Sequence, residues 1–148
     1  MDISSKGQYP SNKLSNFAIN PFELDGVKIT SMEGWLQSLK FENPDMQAHV
    51  CTMFGAAAKK KGYHKAWWKD RILYWRGEPI ERDGPAYQEL LDRAYEALGK
   101  NSAFQRALLS TNNANLTHSM GKKKKSETIL TEQEFCSRLM KLRDKLRS

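Results

Sequence analysis

The strongest folding signal in the sequence is a series of short amphipathic segments, most of which are preceded by a residue that favours the start of a helix. The clearest is the last one, because Thr131 and Glu134 form a capping-box pattern ahead of apolar residues at helical spacing. Four other segments carry signals of the same kind: residues 32–41 after Ser31, residues 43–62 after an Asn-Pro pair, residues 85–98, and a segment capped by Asn101. The pattern therefore predicts about five helices.

Two stretches favour extended structure instead. Residues 22–29 alternate around Asp25-Gly26, which is typical of a hairpin with a type I′ turn. Residues 71–76 are rich in aromatic and branched side chains and predict a strand, followed by a polar turn over 77–84. Five helices with two or three short strands indicate an α+β fold, predominantly helical.

Length and composition fit one domain in a reducing compartment. The chain of 148 residues with 39% hydrophobic content suits a single domain over 1–148, in which we expect a flexible start over 1–12 and a lysine-rich loop over 119–130. Neither a signal peptide nor a long apolar run is present, so we expect no membrane association and a cytoplasmic location. Cys51 and Cys136 match no disulfide or metal pattern.

Positive charge is concentrated in the later parts of the chain. Residues 1–58 carry 4 Lys/Arg and 6 Asp/Glu, residues 59–118 carry 11 and 7, and residues 119–148 carry 9 and 4. The net charges are therefore −2, +4 and +5, which sum to the +7 of the whole chain. Such a surface favours phosphates or nucleic acid as partners, although a solvated basic face gives the same composition.

The helix predicted over residues 32–41 separates an apolar face from a polar stripe. At about 100° per residue, Glu33, Gln37 and Lys40 line up along two turns. A carboxylate, an amide and an amine in this arrangement suit acid–base chemistry with a nucleophile or a phosphate clamp. An ordinary amphipathic helix with a Glu-to-Lys surface pair has the same spacing. The apolar face would hold Met32, Trp35, Leu36 and Leu39.

Several motifs resemble those of the NADAR (YbiA-like) family. They are LSNF at 14–17, Asp25-Gly26, SMEGWLQSLKF at 31–41, AKKKG at 58–62, LLST at 108–111 and LMKLR at 139–143. The resemblance covers nearly the whole chain. It implies a compact, mostly helical NADAR-like domain that cleaves N-glycosidic bonds, either in ribosylamine intermediates of riboflavin synthesis or between ADP-ribose and a modified guanine.

The resemblance also implies roles for individual residues. Glu33 and Lys40 would be the catalytic pair, and four residues would line the substrate pocket: Asn16, Phe17, Gln37 and Lys59. The substrate would be a phosphorylated nucleotide or an ADP-ribosylated guanine, and nucleic acid could be bound through the basic C-terminal half.

The sequence departs from the family pattern at two places. The histidine that usually follows the glutamate is Gly34 here, and two motifs near the C-terminus are replaced by the segment 119–131 with its lysine run. These departures affect the expected substrate more than the expected reaction, because Glu33, Gln37 and Lys40 are all present.

The reaction suggests a task for each catalytic residue. Cleavage of a C1′–N bond builds oxocarbenium character, which a carboxylate such as Glu33 can stabilise while it activates water or protonates the leaving base. Lys40 could hold a phosphate, or attack an opened sugar as a Schiff-base nucleophile if burial depresses its pKa. Neither version requires a metal or another cofactor.

Other features allow competing interpretations. Trp67 and Trp68, with Tyr63 and His64, could stack on a base beside the lysines of 59–61, but the favoured interpretation places both tryptophans in the core. The histidines have ordinary surface or structural explanations. The lysine run of 122–125 could be a phosphate-contacting loop or a nucleic-acid arm, although such runs are more often flexible and solvated. Two other functions stay open: a non-catalytic nucleotide or ADP-ribose sensor, and a basic nucleic-acid-binding protein.

Overall fold

The chain folds into seven helices and four short strands, seen in a computed structural model that describes residues 1–148. The predominantly helical α+β class predicted from the sequence is confirmed. In chain order the elements are α1 (Ser11–Leu14), β1 (Phe22–Leu24), β2 (Val27–Ile29), α2 (Met32–Ser38), α3 (Pro44–Val50), α4 (Gly55–Gly62), β3 (Ile72–Trp75), β4 (Glu78–Glu81), α5 (Pro85–Leu98), α6 (Ser102–Leu109) and α7 (Glu132–Arg147).

The strands form two separate antiparallel hairpins, β1–β2 and β3–β4. The turn of the first lies at Asp25 and Gly26, whose φ angles are 50° and 80°. Both values are positive, as the predicted type I′ turn requires. Arg76 and Gly77, with φ angles of 52° and 85°, make a similar turn in the second hairpin.

Strand β4 was not predicted, and the assignment of residues 77–84 as a polar turn is wrong over Glu78–Glu81. Only Ile80 in this strand is partly buried, so the sequence has no alternation of apolar and polar residues to indicate it. β4 pairs with β3 alone, and an edge strand tolerates Pro79 because its missing N–H need not join a ladder.

The single helix predicted over residues 43–62 is also wrong, because α3 and α4 are separate helices joined by a turn. The N–H of Met53 bonds to the carbonyl of Val50, and Gly55 then takes a φ of +59°. Glycine adopts this conformation readily and other residues do so with strain. Phe54, expected in the apolar stripe of one long helix, is 50% exposed.

Helices α5, α6 and α7 agree with the sequence predictions, whereas the short helix α1 was not predicted. Helix α5 covers Pro85–Leu98 as predicted, and the side chain of Asn101 caps α6 by accepting from the N–H of Phe104 at 3.0 Å. The capping box of α7 is present, with Thr131 accepting from the N–H of Glu134 at 3.1 Å. Helix α2 begins at Met32 as predicted but ends at Ser38.

The core joins the apolar faces of α2, α5, α6 and α7 with residues from both hairpins. The four apolar side chains predicted on α2, from Met32 to Leu39, are all buried. Cys51 and Cys136 lie in the core as free thiols. None of the helices combines the length and the apolar composition that a bilayer crossing requires.

The beginning of the chain packs against the segment that precedes α7. Ile3 is completely buried, and its N–H bonds to the carbonyl of Thr117 at 2.8 Å. Asp2 accepts from both the N–H and the hydroxyl of Ser119, each at 2.7 Å. These contacts bring the 117–119 segment to a fixed place on the core.

Candidate active site

The polar stripe of α2 is partly enclosed by its neighbours. Gln37 is 5% exposed, while Glu33 and Lys40 are half-buried. The Gln37 Nε2 donates to Glu33 Oε2 at 2.6 Å, one helical turn away. The Lys40 Nζ donates to the carbonyl of Gly62 in α4 at 3.4 Å and takes part in no ion pair. Glu33 and Lys40 therefore do not form the ordinary surface Glu–Lys pair that their spacing allows.

Burial changes the acidity of Glu33. Its enclosure raises the pKa above the usual carboxyl range, against the hydrogen bond from Gln37 and the charges of Lys59, Lys40 and His118, all of which lower it. A carboxyl group with a raised pKa holds its proton more readily than an ordinary carboxyl group and can donate it as a general acid. Glu33 is therefore less exposed than an open-cleft carboxylate would be, and better suited to act as an acid or a base.

Burial changes Lys40 in the opposite sense. It lowers the pKa of Lys40 to about 8, with Lys59 and Lys122 lowering it further and Glu33 opposing them. At neutral pH an appreciable fraction of such an amine is uncharged. Both sequence-based roles, cation and nucleophile, are therefore accessible to it.

Helix α4 approaches α2 closely because Gly62 has no side chain. A Cβ atom at Gly62 would overlap the Gln37 Oε1 and would lie 3.1 Å from the Cδ of Lys40. The same Gln37 Oε1 is buried and has no hydrogen-bond partner. A buried acceptor without a partner is costly, so the contact of α4 with α2 at this point is made at the expense of a hydrogen bond.

The LSNF motif lies beside the start of α2. The carbonyl of Asn16 accepts from the N–H of Glu33 at 2.9 Å, and its side-chain oxygen accepts from the hydroxyl of Tyr95 at 3.0 Å. Asn16 is thus fixed next to the carboxylate by α5. Phe17 follows it and is half-buried, but makes no hydrogen bond to the polar stripe.

The segment 118–122 adds two residues that were not among the predicted site residues. His118 and Lys122 are near enough for their charges to act on Glu33 and Lys40 respectively. Glu132 holds this segment, accepting from the N–H of His118 at 2.7 Å and donating its own N–H to the carbonyl of Lys122 at 3.0 Å. The contact between the carbonyl of Ile3 and His118 Nδ1, 2.7 Å long, orients the imidazole.

Gly34 lies where the NADAR motif that the sequence resembles has a histidine. A Cβ atom there would lie 2.5 Å from the carbonyl oxygen of Met53 and 2.9 Å from that of Val50. The turn between α3 and α4 therefore occupies the space that a larger side chain would need. A histidine at this position would require the main chain of that turn to move.

The tryptophan pair is divided between the core and the surface. Trp67 is 8% exposed and belongs to the core, as expected, but the same expectation for Trp68 is wrong because it is 51% exposed. Both tryptophans lie in a turn over residues 67–71, which ends with Arg71 in the left-handed conformation at a φ of 60°. Adjacent side chains at such a turn point in different directions.

The site assembles acid–base and cationic groups, without a set of metal ligands. No group of three or more His, Cys, Asp or Glu side chains is placed to hold a metal ion. Two surface grooves lie away from the α2 stripe, one of about 700 Å³ along α5 and α7 and one of about 630 Å³ beside α3. The chemistry-bearing residues instead come from α2, α4, the LSNF motif and the 118–122 segment, and they are Asn16, Glu33, Gln37, Lys40, Lys59, His118 and Lys122.

Comparison with known proteins gives three findings. Residues 8–144 match the family described as bacteriophage protein GP30.3. An uncharacterized 17.1 kDa protein from the Gp30–rIII intergenic region of Enterobacteria phage T4 is 40% identical over 149 residues, covering 99% of this chain and 98% of that protein. The NMR structure of the E. coli protein YbiA is similar with a TM-score of 0.64 at 18% identity, covering 99% of this chain and 84% of that one.

Proposed function

Because the chain belongs to the family of bacteriophage protein GP30.3 and has the fold of YbiA, we propose that it is an N-glycosidase acting on a nucleotide-like substrate. The bond cleaved is the C1′–N bond between a ribose and a base or amine. The best candidate substrate is ADP-ribose attached to a modified guanine, with a phosphorylated ribosylamine as the other member of the class.

The observation that carries this proposal is the state of Glu33. Its carboxyl group is half-buried, has a raised pKa, and is fixed by Gln37 at 2.6 Å. As a general acid it gives its proton to the departing nitrogen; as a base it then takes one from the water that attacks C1′. The water supplies a hydroxyl to the sugar and a proton to the base, so the overall step is a hydrolysis.

Lys40 and Lys59 support an anionic sugar substrate. As cations they stabilise a phosphate on the ribose, and Lys122 adds a third positive charge in range of Lys40. Alternatively, uncharged Lys40 attacks C1′ and displaces the base, which takes up the proton that the attacking amine loses. The resulting N-glycosyl amine opens to an imine, and water hydrolyses this imine to free the sugar and the amine. The lowered pKa of Lys40 is compatible with both routes.

The test is to incubate the protein with ADP-ribosylated guanosine, NAD and a ribosylaminopyrimidine in parallel and to identify released sugars and bases by mass spectrometry. We expect one of these substrates to be cleaved by the unmodified protein and by Glu23→Gln, a matched change at an exposed glutamate of β1. Glu33→Gln should abolish cleavage because the amide cannot transfer the proton. Equal rates in the two variants would remove Glu33 from the mechanism.

Gly34 favours one alternative function, a sensor that binds ADP-ribose or a nucleotide without cleaving it. The family's usual histidine is missing, and the close main chain of Met53 prevents its simple restoration. A sensor would bind ligand in calorimetry with similar affinity before and after Glu33→Gln, and no product would form with either protein. An enzyme would bind ligand both before and after Glu33→Gln, and would release product only with Glu33 present.

A further inference from the structure

An exposed run of lysine and aromatic side chains follows the edge of the candidate active site. We call residues 59–69 the lysine–aromatic segment. Only Gly62 and Trp67 in this segment are buried, the first against α2 and the second in the core. These two points fix the segment on the protein while all of its other side chains face solvent.

The segment carries a charge that nothing in the protein neutralises. It contains five lysines, and no Asp or Glu occurs between residues 46 and 69. None of the five forms an ion pair. Lys65 instead lies over the ring of Phe41, with its Nζ 4.9 Å from the ring centroid. A strip of unpaired ammonium groups favours a polyanion.

Two large aromatic side chains stand among these lysines. Tyr63 is 69% exposed and Trp68 is 51% exposed. The other three tryptophans are buried, so Trp68 is the exception in this protein. Exposed aromatic rings beside cations are the elements with which proteins bind single-stranded nucleic acid, since rings stack on unpaired bases while lysines contact phosphates.

From these features we infer that the lysine–aromatic segment binds single-stranded nucleic acid, including strands that carry no modification. A duplex fits less well, because its bases are already stacked and hide their faces from Tyr63 and Trp68. An anionic membrane fits less well too, because only residues 59–62 of the segment are helical, at the end of α4, and the rest of it has no long apolar helix face. The surface leads to the site, since Lys59 acts on Glu33 and Gly62 contacts Lys40.

The inference goes beyond the proposed reaction and does not need turnover. Glu33 lies outside the segment, so Glu33→Gln should bind an unmodified strand as well as the natural sequence does. Loss of N-glycosidase activity in every assay would contradict the proposed function and leave strand binding untouched. A protein that cleaves free nucleotides and binds no strand would contradict this inference and leave the proposed function untouched.

The experiment is fluorescence polarisation with labelled oligothymidine and oligouridine of about 12 nucleotides, within the site sizes that such surfaces cover. We expect Trp68→Ala and Tyr63→Ala each to weaken binding at least about fivefold, and Trp68→Phe to retain most of it, because one stacked base contributes this much or more. Lys65→Ala and Lys69→Ala should weaken binding and reduce the magnitude of the salt slope by about 0.7 for each phosphate that the variant no longer binds.

Matched controls lie elsewhere on the surface. Tyr9 is 60% exposed and Lys6 is exposed, both far from the segment in sequence, so Tyr9→Ala and Lys6→Ala should leave the affinity unchanged. Equal losses from the control and segment variants would overturn the inference. It would also be overturned by tighter binding to duplex than to single strands, or by binding to phosphatidylserine vesicles with no binding to either oligonucleotide.

Discussion

Burial acts on Glu33 and Lys40 in opposite directions, and this makes the pair chemically useful. It raises the pKa of the carboxyl group and lowers that of the amine to about 8, so the neutral form of each is favoured. The two groups do not form an ion pair. Lys40 can therefore lose its proton near pH 8, and Glu33 holds its proton more readily than an ordinary carboxyl group does.

The pH dependence of kcat/KM should reveal the role of Lys40. If its amine is the nucleophile, the rate should rise with pH and level off above about 8, where the amine is uncharged. If it is a phosphate clamp, the rate should be steady at lower pH and decline above about 8 as the charge is lost. The two roles of Lys40 therefore predict opposite changes of kcat/KM with pH around pH 8, and the profile distinguishes them.

Trapping and substitution test the same choice independently. If Lys40 is a nucleophile, borohydride added during turnover should reduce the imine and leave a sugar on Lys40, which peptide mass spectrometry would detect. This role also predicts that Lys40→Arg is inactive, because guanidinium stays protonated. A clamp predicts no adduct and an Arg variant whose main defect is in KM. An inactive Arg variant without an adduct would indicate that Lys40 acts through the ionisation of Glu33.

Gly34→Ala should destabilise the protein although alanine is the better helix former. The gain of about 1 kcal/mol from helix propensity is opposed by overpacking that costs about 1–3 kcal/mol. The overlap is with carbonyl oxygens of Met53 and Val50, which cannot rotate away as side-chain atoms do. Denaturant unfolding should therefore show a lower free energy of unfolding.

Gly84→Ala is the control for this change, because the nearest atoms to its added Cβ lie 3.5 Å away. Gly84 is the N-cap of α5, where alanine is less favoured than glycine, so we expect a loss of less than about 1 kcal/mol that involves no overlap. A Gly34→Ala variant as stable as the natural protein would mean that the turn between α3 and α4 adjusts easily. The close packing would then not explain why Gly34 stands where the NADAR motif has a histidine.

The sequence predicted the local part of the candidate site and missed its distant part. Periodicity alone places Glu33, Gln37 and Lys40 in one stripe, and the structure has the first two on α2 and Lys40 two residues past its end. His118 was interpreted as a surface or structural residue, and its position depends on a contact with Ile3, 115 residues away. Such a contact leaves no trace in local spacing. The catalytic and binding roles of all these residues stay predictions.

Among the elements, the predictions were correct where the local sequence pattern was strong. Helix α7 has both a capping box and a regular apolar stripe, and its predicted start is correct. The region of α3 and α4 has apolar residues at helical spacing, but the left-handed φ of Gly55 interrupts it. Glycine is compatible with both outcomes, so the sequence could not distinguish one helix from two.

Helix α7 should be needed for the stability of the whole domain. Leu139 lies in the middle of its apolar stripe and is completely buried, so Leu139→Ala should cost about 2–5 kcal/mol in the free energy of unfolding. Lys141→Ala, two residues later on an exposed position, should change it by less than about 0.5 kcal/mol. A loss of that small size from Leu139→Ala would mean that α7 does not depend on its contact with the core.

At the scale of the whole molecule, one buried ion pair connects elements that are distant in sequence. Arg82 is completely buried and donates to both carboxylate oxygens of Glu134 in α7, at 3.1 and 2.7 Å. Its Nε donates to the carbonyl of Thr128 at 3.0 Å, and its guanidinium lies 4.9 Å from the ring centroid of Tyr87. Burial alone would raise the pKa of Glu134, but hydrogen bonds from Arg82, Gln88 and Thr131 lower it to about 2.

Stability should therefore fall in acid and should depend on Arg82. The lowered pKa of Glu134 stabilises the folded state fully above its ordinary value of 4.5. This contribution is lost as pH falls from 4.5 to about 2, because the unfolded chain takes up the proton first.

Arg82→Met leaves the carboxylate buried without its partner and should cost on the order of 3 kcal/mol at neutral pH. Urea unfolding should show the gap between the two proteins narrowing below pH 4.5. Lys145→Gln, which breaks only the exposed pair with Glu96, should cost far less than Arg82→Met. A gap that stays constant with pH would show that Arg82 stabilises the fold through its packing on Tyr87 and not through the charge of Glu134.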